Sequence, residues 1–295
     1  MNYIKKHIYL VKPNLFFNYS EVFQGKMKYT VLTTLLVTGC ALFGQTAQDQ
    51  IENQMLEAYG DLQYAKAKRI AATSDLPQFQ LIRAMCEVFD RRAQNLKRGI
   101  PELKRLSQSK ELPERYRNTA KLAYARAMHT LAQRKNVYAN AGEVNPVPLY
   151  EEIAETAPET LEGITAVVYR AQYFLEKENP QDAVQYTEKF INSYKGKNQR
   201  FLCPLHLMLK DVYIRNFSDY KSAIRHAERA RELVPATPRT VQLLHFQIAR
   251  IYDIFLKDDV KAEQEYLSFL ETHPDTSEAT PARRYLKELR ERKAK

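Results

Sequence analysis

The chain has 295 residues, 44% of them hydrophobic and 27% charged, so it can bury a sizeable core and is not composed like a disordered protein. It holds only 8 glycines, which disfavours the β-sandwich, Rossmann and P-loop architectures that lean on glycine at turns and phosphate contacts. The formal net charge is +10, but runs such as Glu228-Arg229-Ala230-Arg231-Glu232 mix the signs as solvated helix faces do, whereas a nucleic-acid binder concentrates its excess in one basic stripe.

At the N-terminus, Lys5, Lys6, Lys12, Lys26 and Lys28 precede residue 48, with Glu21 the single acidic residue among them. From Met27 the text runs Met27-Lys28-Tyr29, then apolar over 30–44, then polar from Gln45. A basic start followed by a short apolar core is signal-peptide anatomy, and the stretch is shorter than the ~20 apolar residues of a comfortable membrane span. The expectation is a signal peptide over 27–47, with 1–26 a mis-assigned extension; a genuine leader with a long aromatic n-region is the alternative. Cys40 follows Val37-Thr38-Gly39, which resembles a bacterial lipobox and makes Cys40 a candidate lipidation site. The apolar Ala41-Leu42-Phe43 beyond it fits ordinary cleavage near Ala47 better. Lipoprotein, soluble exported protein and uncleaved anchor all stay open.

The rest of the chain carries a beat. Three segments, Gln181-Asp182-Ala183-Val184, Tyr220-Lys221-Ser222-Ala223-Ile224 and Asp259-Val260-Lys261-Ala262-Glu263, each put an alanine early in an amphipathic helix after a polar turn. Those alanines stand 40 and 39 residues apart, and amphipathic helices over 165–177, 205–215 and 241–256 precede them. Pro77, Pro113, Pro158, Pro235 and Pro274 keep a similar interval as helix stops, the missing one supplied by Tyr194-Lys195-Gly196. Residues 48–276 have room for about six such units of ~39 residues, and a highly charged helix over 277–292 suits a solvent-facing cap, with 277–295 forming cap and tail.

This pattern resembles the tetratricopeptide repeat family over most of 49–290. In chain order, the first unit offers Ala65, Ala72 and Pro77; the second Met85, Cys86, Phe89 and Pro113. The third, around Ala125 and Pro158, is degenerate with a long loop at 136–147. The fourth has Ala171, Phe174 and Ala183; the fifth Leu209, Tyr213, Ala223, Ala230 and Pro235; the sixth Ile248, Ala249, Tyr252, Ala262, Tyr266 and Pro274. The chain lacks tryptophan and the units exceed the family's 34 residues. The resemblance implies an all-α, right-handed superhelix of about six stacked helix-turn-helix repeats with a C-terminal capping helix. Ala65, Ala183, Ala223, Ala230 and Ala262 are then packing residues where backbones approach, and Pro235 and Pro274 close their units. Cys86 and Cys203 would sit three repeats apart, beyond the ~7 Å span of a disulfide, and are expected as free buried thiols.

No zinc-binding H-E-x-x-H, C-x-x-C, G-x-S-x-G or Walker pattern occurs, and no two histidines stand at i, i+4. Glu151-Glu152 and Asp258-Asp259 are adjacent pairs whose side chains diverge on a helix. The resemblance implies instead a concave wall lined by the first helix of each unit: Arg83, Glu87 and Asp90, then Arg126 and His129, then Gln172, then Asp211 and Arg215, and finally Arg250 and Asp253. Such a wall would clamp a peptide. The function expected is an exported, non-enzymatic scaffold or adaptor binding a protein or peptide partner, without cofactor or metal. It would touch membrane only through a lipid anchor, and the last unit, 266–274, is similar to repeats of bacterial envelope assembly lipoproteins. The alternatives are a superhelix accessory to a cell-wall-acting enzyme and, if the signal is false, a cytosolic nucleic-acid-binding helical protein.

Overall fold

Proline marks several helix starts in this chain, although Pro101 lies inside a helix. It lacks an N–H that the first turn would leave unpaired and holds a helical φ, so it suits that position. In the computed structural model, which describes residues 47–90, 95–133, 145–233 and 238–294, Pro77 opens α3 (Pro77–Phe89), Pro180 opens α8 (Pro180–Ser193) and Pro238 opens α11 (Pro238–Arg250). Pro113 stands directly before α5 (Glu114–Gln133), while Pro158 and the exposed Pro274 lie in turns. Pro77 and Pro113, expected as stops, therefore act at the next helix's start; Pro235, Cys40, the signal over 27–46 and the extension 1–26 lie outside the described residues.

Among the described residues the only regular secondary structure is helical, with thirteen α-helices and no strand. The others are α1 (Ala47–Gly60), α2 (Tyr64–Ala71), α4 (Leu96–Ser107), α6 (Val147–Thr156), α7 (Leu161–Glu176), α9 (Cys203–Val212), α10 (Tyr220–Leu233), α12 (Asp259–Thr272) and α13 (Ala279–Lys293). A π-helical turn over Tyr213–Phe217 extends α9, and another over Ile251–Leu256 extends α11. None of the described helices is long and apolar enough to cross a membrane. The chain divides into two compact units, one ending at Tyr169 and the other starting at Arg170.

In the first unit each helix from α1 to α6 packs on the next, and α3 also touches α1 and α5. Met55, Leu56, Tyr59, Phe79, Leu81, Met85, Val88, Leu103 and Leu106 are sealed between them. In the second unit α8 to α13 follow the same neighbour-to-neighbour order, enclosing Leu205, Leu209, Ile248, Tyr266 and Phe269. Each fully buried Leu, Phe or Met side chain contributes about 1.5–3 kcal/mol. The last helix buries Ala279, Ala282, Leu286 and Leu289 and turns Arg283, Arg284, Lys287 and Glu288 to solvent.

One turn recurs between the helices of a pair. A residue in the left-handed region precedes the cap of the second helix: Leu62 before Gln63, Glu178 before Asn179, Ser218 before Asp219 and Lys257 before Asp258. The side chains of Asn179, Asp219 and Asp258 accept from the backbone N–H three residues on, as N-caps do. Gln63 N–H donates to the Ala58 carbonyl and Asn179 N–H to that of Phe174, whereas Asp219 and Asp258 reach one residue further back, to Tyr213 and Tyr252. The π-helical turns hold that extra residue.

Four residues after each cap comes the close approach. Ala67, Ala183, Ala223 and Ala262 donate their N–H to the carbonyls of Gln63, Asn179, Asp219 and Asp258, and all four are fully buried. In the second pair the cap is Asn95 and the fourth residue is Gly99, where an added Cβ would fall 2.5 Å from Val88 Cγ2. In the third pair the cap is Pro146 and the fourth residue is the buried Tyr150. Ala65, expected as the packing residue of the first unit, is exposed. Two residues along a helix is a rotation of about 200°, so Ala65 and Ala67 cannot share a face. Ala230 is also fully buried, beneath the Cys203 thiol.

Candidate functional site

A cleft of about 590 Å³ opens in the first unit between α2, α3 and α4. Position on α3 brings Gln80, Arg83, Ala84 and Glu87 to it at i, i+3, i+4 and i+7 spacing. On α4, Arg98, Gly99, Glu102 and Arg105 line it at i, i+1, i+4 and i+7, and α2 contributes Lys68. Gly99 sits in the floor, where its missing side chain lets α4 approach Val88 and Ala84.

The charged side chains of the cleft are mostly cationic: Lys68, Arg83, Arg98 and Arg105 against Glu87 and Glu102. Lys68 Nζ donates to Glu87 Oε1 at 2.5 Å, and Arg105 grips Glu102 at 2.7 and 3.0 Å while also donating to Gln80. The Arg105 hydrogen bond holds the Glu102 carboxyl below its ordinary range. Arg83 reaches the freely exposed Asp75 carboxylate at 3.3 Å. Arg98 is exposed and forms no ion pair with another described residue.

Of the residues expected along a concave wall, the cleft gathers Arg83 and Glu87. Asp90 caps the end of α3, its backbone N–H donating to Cys86. An open wall needs exposed side chains, yet Glu87, Arg126, His129, Asp211 and Asp253 are 8, 8, 0, 7 and 6% exposed. Their charges are used inside the units. The Arg126 guanidinium lies 4.1 Å over the Tyr169 ring and donates to His129 Nδ1 at 3.2 Å, with the Tyr150 hydroxyl 3.1 Å from the same nitrogen. Asp211 pairs with its neighbour Lys210 at 3.0 Å, and Lys210 donates to Gln247 on α11 at 2.6 Å. Asp253 accepts from Tyr266 at 3.0 Å, Arg292 at 2.8 Å and Arg250 at 3.4 Å, while Arg250 lies 3.7 Å over Tyr285. Gln172 is half-buried on α7 and Arg215 is exposed in the π-helical turn after α9. Five of the ten residues expected on such a wall are thus buried and paired within their own unit.

The second unit holds a histidine pair that periodicity along a single helix does not reveal. His206 Nδ1 on α9 and His226 Nδ1 on α10 lie 2.9 Å apart, both rings 6% exposed. One must donate and the other accept, so the contact requires at least one neutral ring. His226 Nε2 faces Glu188 on α8 at 3.5 Å, and that carboxylate also accepts from Tyr213, whose ring stacks on His226 at 5.5 Å. Burial, with the positive fields of the other histidine, Arg229 and Arg225 added, brings His206 down to about 4. Burial and Arg225 likewise lower His226, against a smaller opposing pull from Glu188. Cys86 and Cys203 are free and buried, and burial pushes both thiols up to about 12, which makes them poor nucleophiles. No three of His, Cys, Asp and Glu converge on a metal-holding position among the described residues.

Lys68, Gln80, Arg98, Glu102 and Arg105 were not expected at a site. Arg98 and Arg105 stand seven residues apart on one helical face, a spacing the sequence does display. Comparison with protein-family models, with curated proteins and with solved structures finds no match.

Proposed function

We propose that this chain is a non-enzymatic scaffold, built as a superhelical array of tetratricopeptide-like helix pairs and exported to the cell envelope, that holds a protein partner on its helical surface. What supports the reading is the recurring turn: a left-handed residue, a cap, and a small buried residue four positions on, at Ala67, Ala183, Ala223 and Ala262. Pairs that pack only on their neighbours form quasi-one-dimensional arrays with large preformed surfaces. Partners bind such surfaces without extensive ordering, so little affinity is lost to entropy. Small-angle X-ray scattering of the mature chain gives an elongated arc on this reading, and photo-crosslinking in solubilised envelopes recovers a protein partner. A compact scattering profile together with an empty crosslink would contradict it. N-terminal mass spectrometry of the native protein tests export separately: a mature terminus near residue 40 or 48 supports it, and an intact Met1 removes it.

A further inference from the structure

We infer that the cleft between α2, α3 and α4 is the seat of an acidic peptide segment supplied by another protein, an assignment that rests on the scaffold reading and adds the chemistry of the partner. Four cations line it, Lys68, Arg83, Arg98 and Arg105, against two carboxylates, Glu87 and Glu102. Lys68 and Arg105 satisfy those two carboxylates. Arg83 and Arg98 remain for a ligand, since the Asp75 carboxylate on Arg83 is solvent-exposed and held at only 3.3 Å. Exposed pairs of that kind contribute little and exchange readily. Asp75, outside the cleft, shows that the Arg83 guanidinium is within reach of a carboxylate. Arg presents a planar fork that matches a carboxylate with two parallel hydrogen bonds.

The undescribed segments do not supply the occupant. Residues 1–46 carry five lysines and one acidic residue; 134–144 carry Arg134 and Lys135 against Glu143; Arg91, Arg92 and Lys295 are basic, and 234–237 are uncharged. No undescribed segment has the acidic character the cleft needs. The volume, about 590 Å³, takes three or four residues of an extended peptide rather than a single carboxylate. Binding therefore falls with salt, because the attraction is between partly exposed charges.

The test uses the full mature chain and a fluorescein-labelled hexaglutamate peptide, with hexalysine and a six-nucleotide single-stranded DNA as comparison probes. Fluorescence anisotropy is expected to show hexaglutamate binding, weakened at least tenfold in Arg98→Glu and in Arg83→Glu. Arg284→Glu, which reverses an exposed charge on α13, should leave it within twofold. Circular dichroism of each variant verifies folding, and Arg98→Gln, which removes charge without adding a repulsive one, should give an intermediate loss. Equal weakening by Arg284→Glu means non-specific attraction to a basic protein and overturns the assignment. Tighter binding of the oligonucleotide, lost in the same two variants, overturns the peptide in favour of phosphate. Absence of hexaglutamate binding overturns the cleft alone, because a partner crosslinked elsewhere still supports the scaffold.

Discussion

Acid should loosen the second unit at the seam between α9 and α10, and the histidine pair sets how far. With His206 and His226 in Nδ1 contact at 2.9 Å, a proton arriving on the pair can be shared once but not twice. His206 is lowered by burial from its ordinary 6.5 to about 4. As pH falls from 6.5 to 4 the unfolded chain therefore takes up a proton that the folded seam refuses, and stability falls. It is fully present above pH 6.5 and stops falling below about pH 4. The gap corresponds to about 3 kcal/mol, since each pH unit of difference is worth 1.36 kcal/mol. Glu188 and Tyr213 face His226 from α8 and the π-helical turn, while Arg225, Arg229 and Glu232 on α10 complete the charged surroundings. The perturbation is His206→Phe, which fills the seam with a ring that cannot titrate. Hydrogen-exchange protection of α9 and α10 amides, corrected for intrinsic rates, is measured at pH 7.0, 5.5 and 4.0 in both proteins. Carboxylates elsewhere titrate alike in both and cancel, and His226 stays buried and lowered in both, so wild type should lose more than the variant across that range, by up to about 3 kcal/mol. A folded His206 titrating near 6.5 by NMR, or the same acid loss in the variant, refutes the reasoning.

Ala67→Leu should destabilise the first unit by about 1–3 kcal/mol through overpacking, while Ala65→Leu, on the exposed face, stays within about 0.5 kcal/mol; thermal melts of the two variants decide the register of α2. Gly99→Ala gains roughly 1 kcal/mol of helix propensity but drives a methyl to 2.5 Å from Val88 Cγ2, and a net loss of about 1–2 kcal/mol is expected in denaturant titration. Asp253→Asn leaves Arg250, Arg292 and Tyr266 without their shared buried carboxylate and should cost about 3 kcal/mol, with α13 amides exchanging first. A variant in which α13 keeps native protection would show that the carboxylate does not hold the last helix.

The alanines of the fourth, fifth and sixth pairs were readable because each follows an Asn or Asp cap at fixed distance, so local hydrogen bonding and packing agree on one residue. In the first pair the run Ala65-Lys66-Ala67-Lys68 offers two candidates, and Gln63 gives no side-chain cap to choose between them. In the second the small residue is glycine and in the third it is a tyrosine, so a search for alanine misses both. The charged residues failed for a different reason. Periodicity places a side chain on a face but says nothing of a partner arriving from another helix. Arg126 is buried because Tyr169 covers it, and Asp253 because Arg292, thirty-nine residues later, reaches it. The histidine pair was hidden likewise, because its members lie on the two arms of one hairpin and a scan for i, i+4 pairs inspects one arm at a time.

Cap and small residue lie within a single helical turn of each other, which decides where this chain can grow. An insertion between Asn179 and Ala183 would rotate the small residue off its seam, whereas one in a connecting segment leaves every seam intact. The interval from Gly99 to Tyr150 is the longest between such positions and that from Ala67 to Gly99 the shortest, yet the N–H four residues past the cap closes on it in both pairs. Length is elastic between hairpins and fixed within them, so loops can be lengthened, tagged or exchanged there without disturbing the packed pairs on either side.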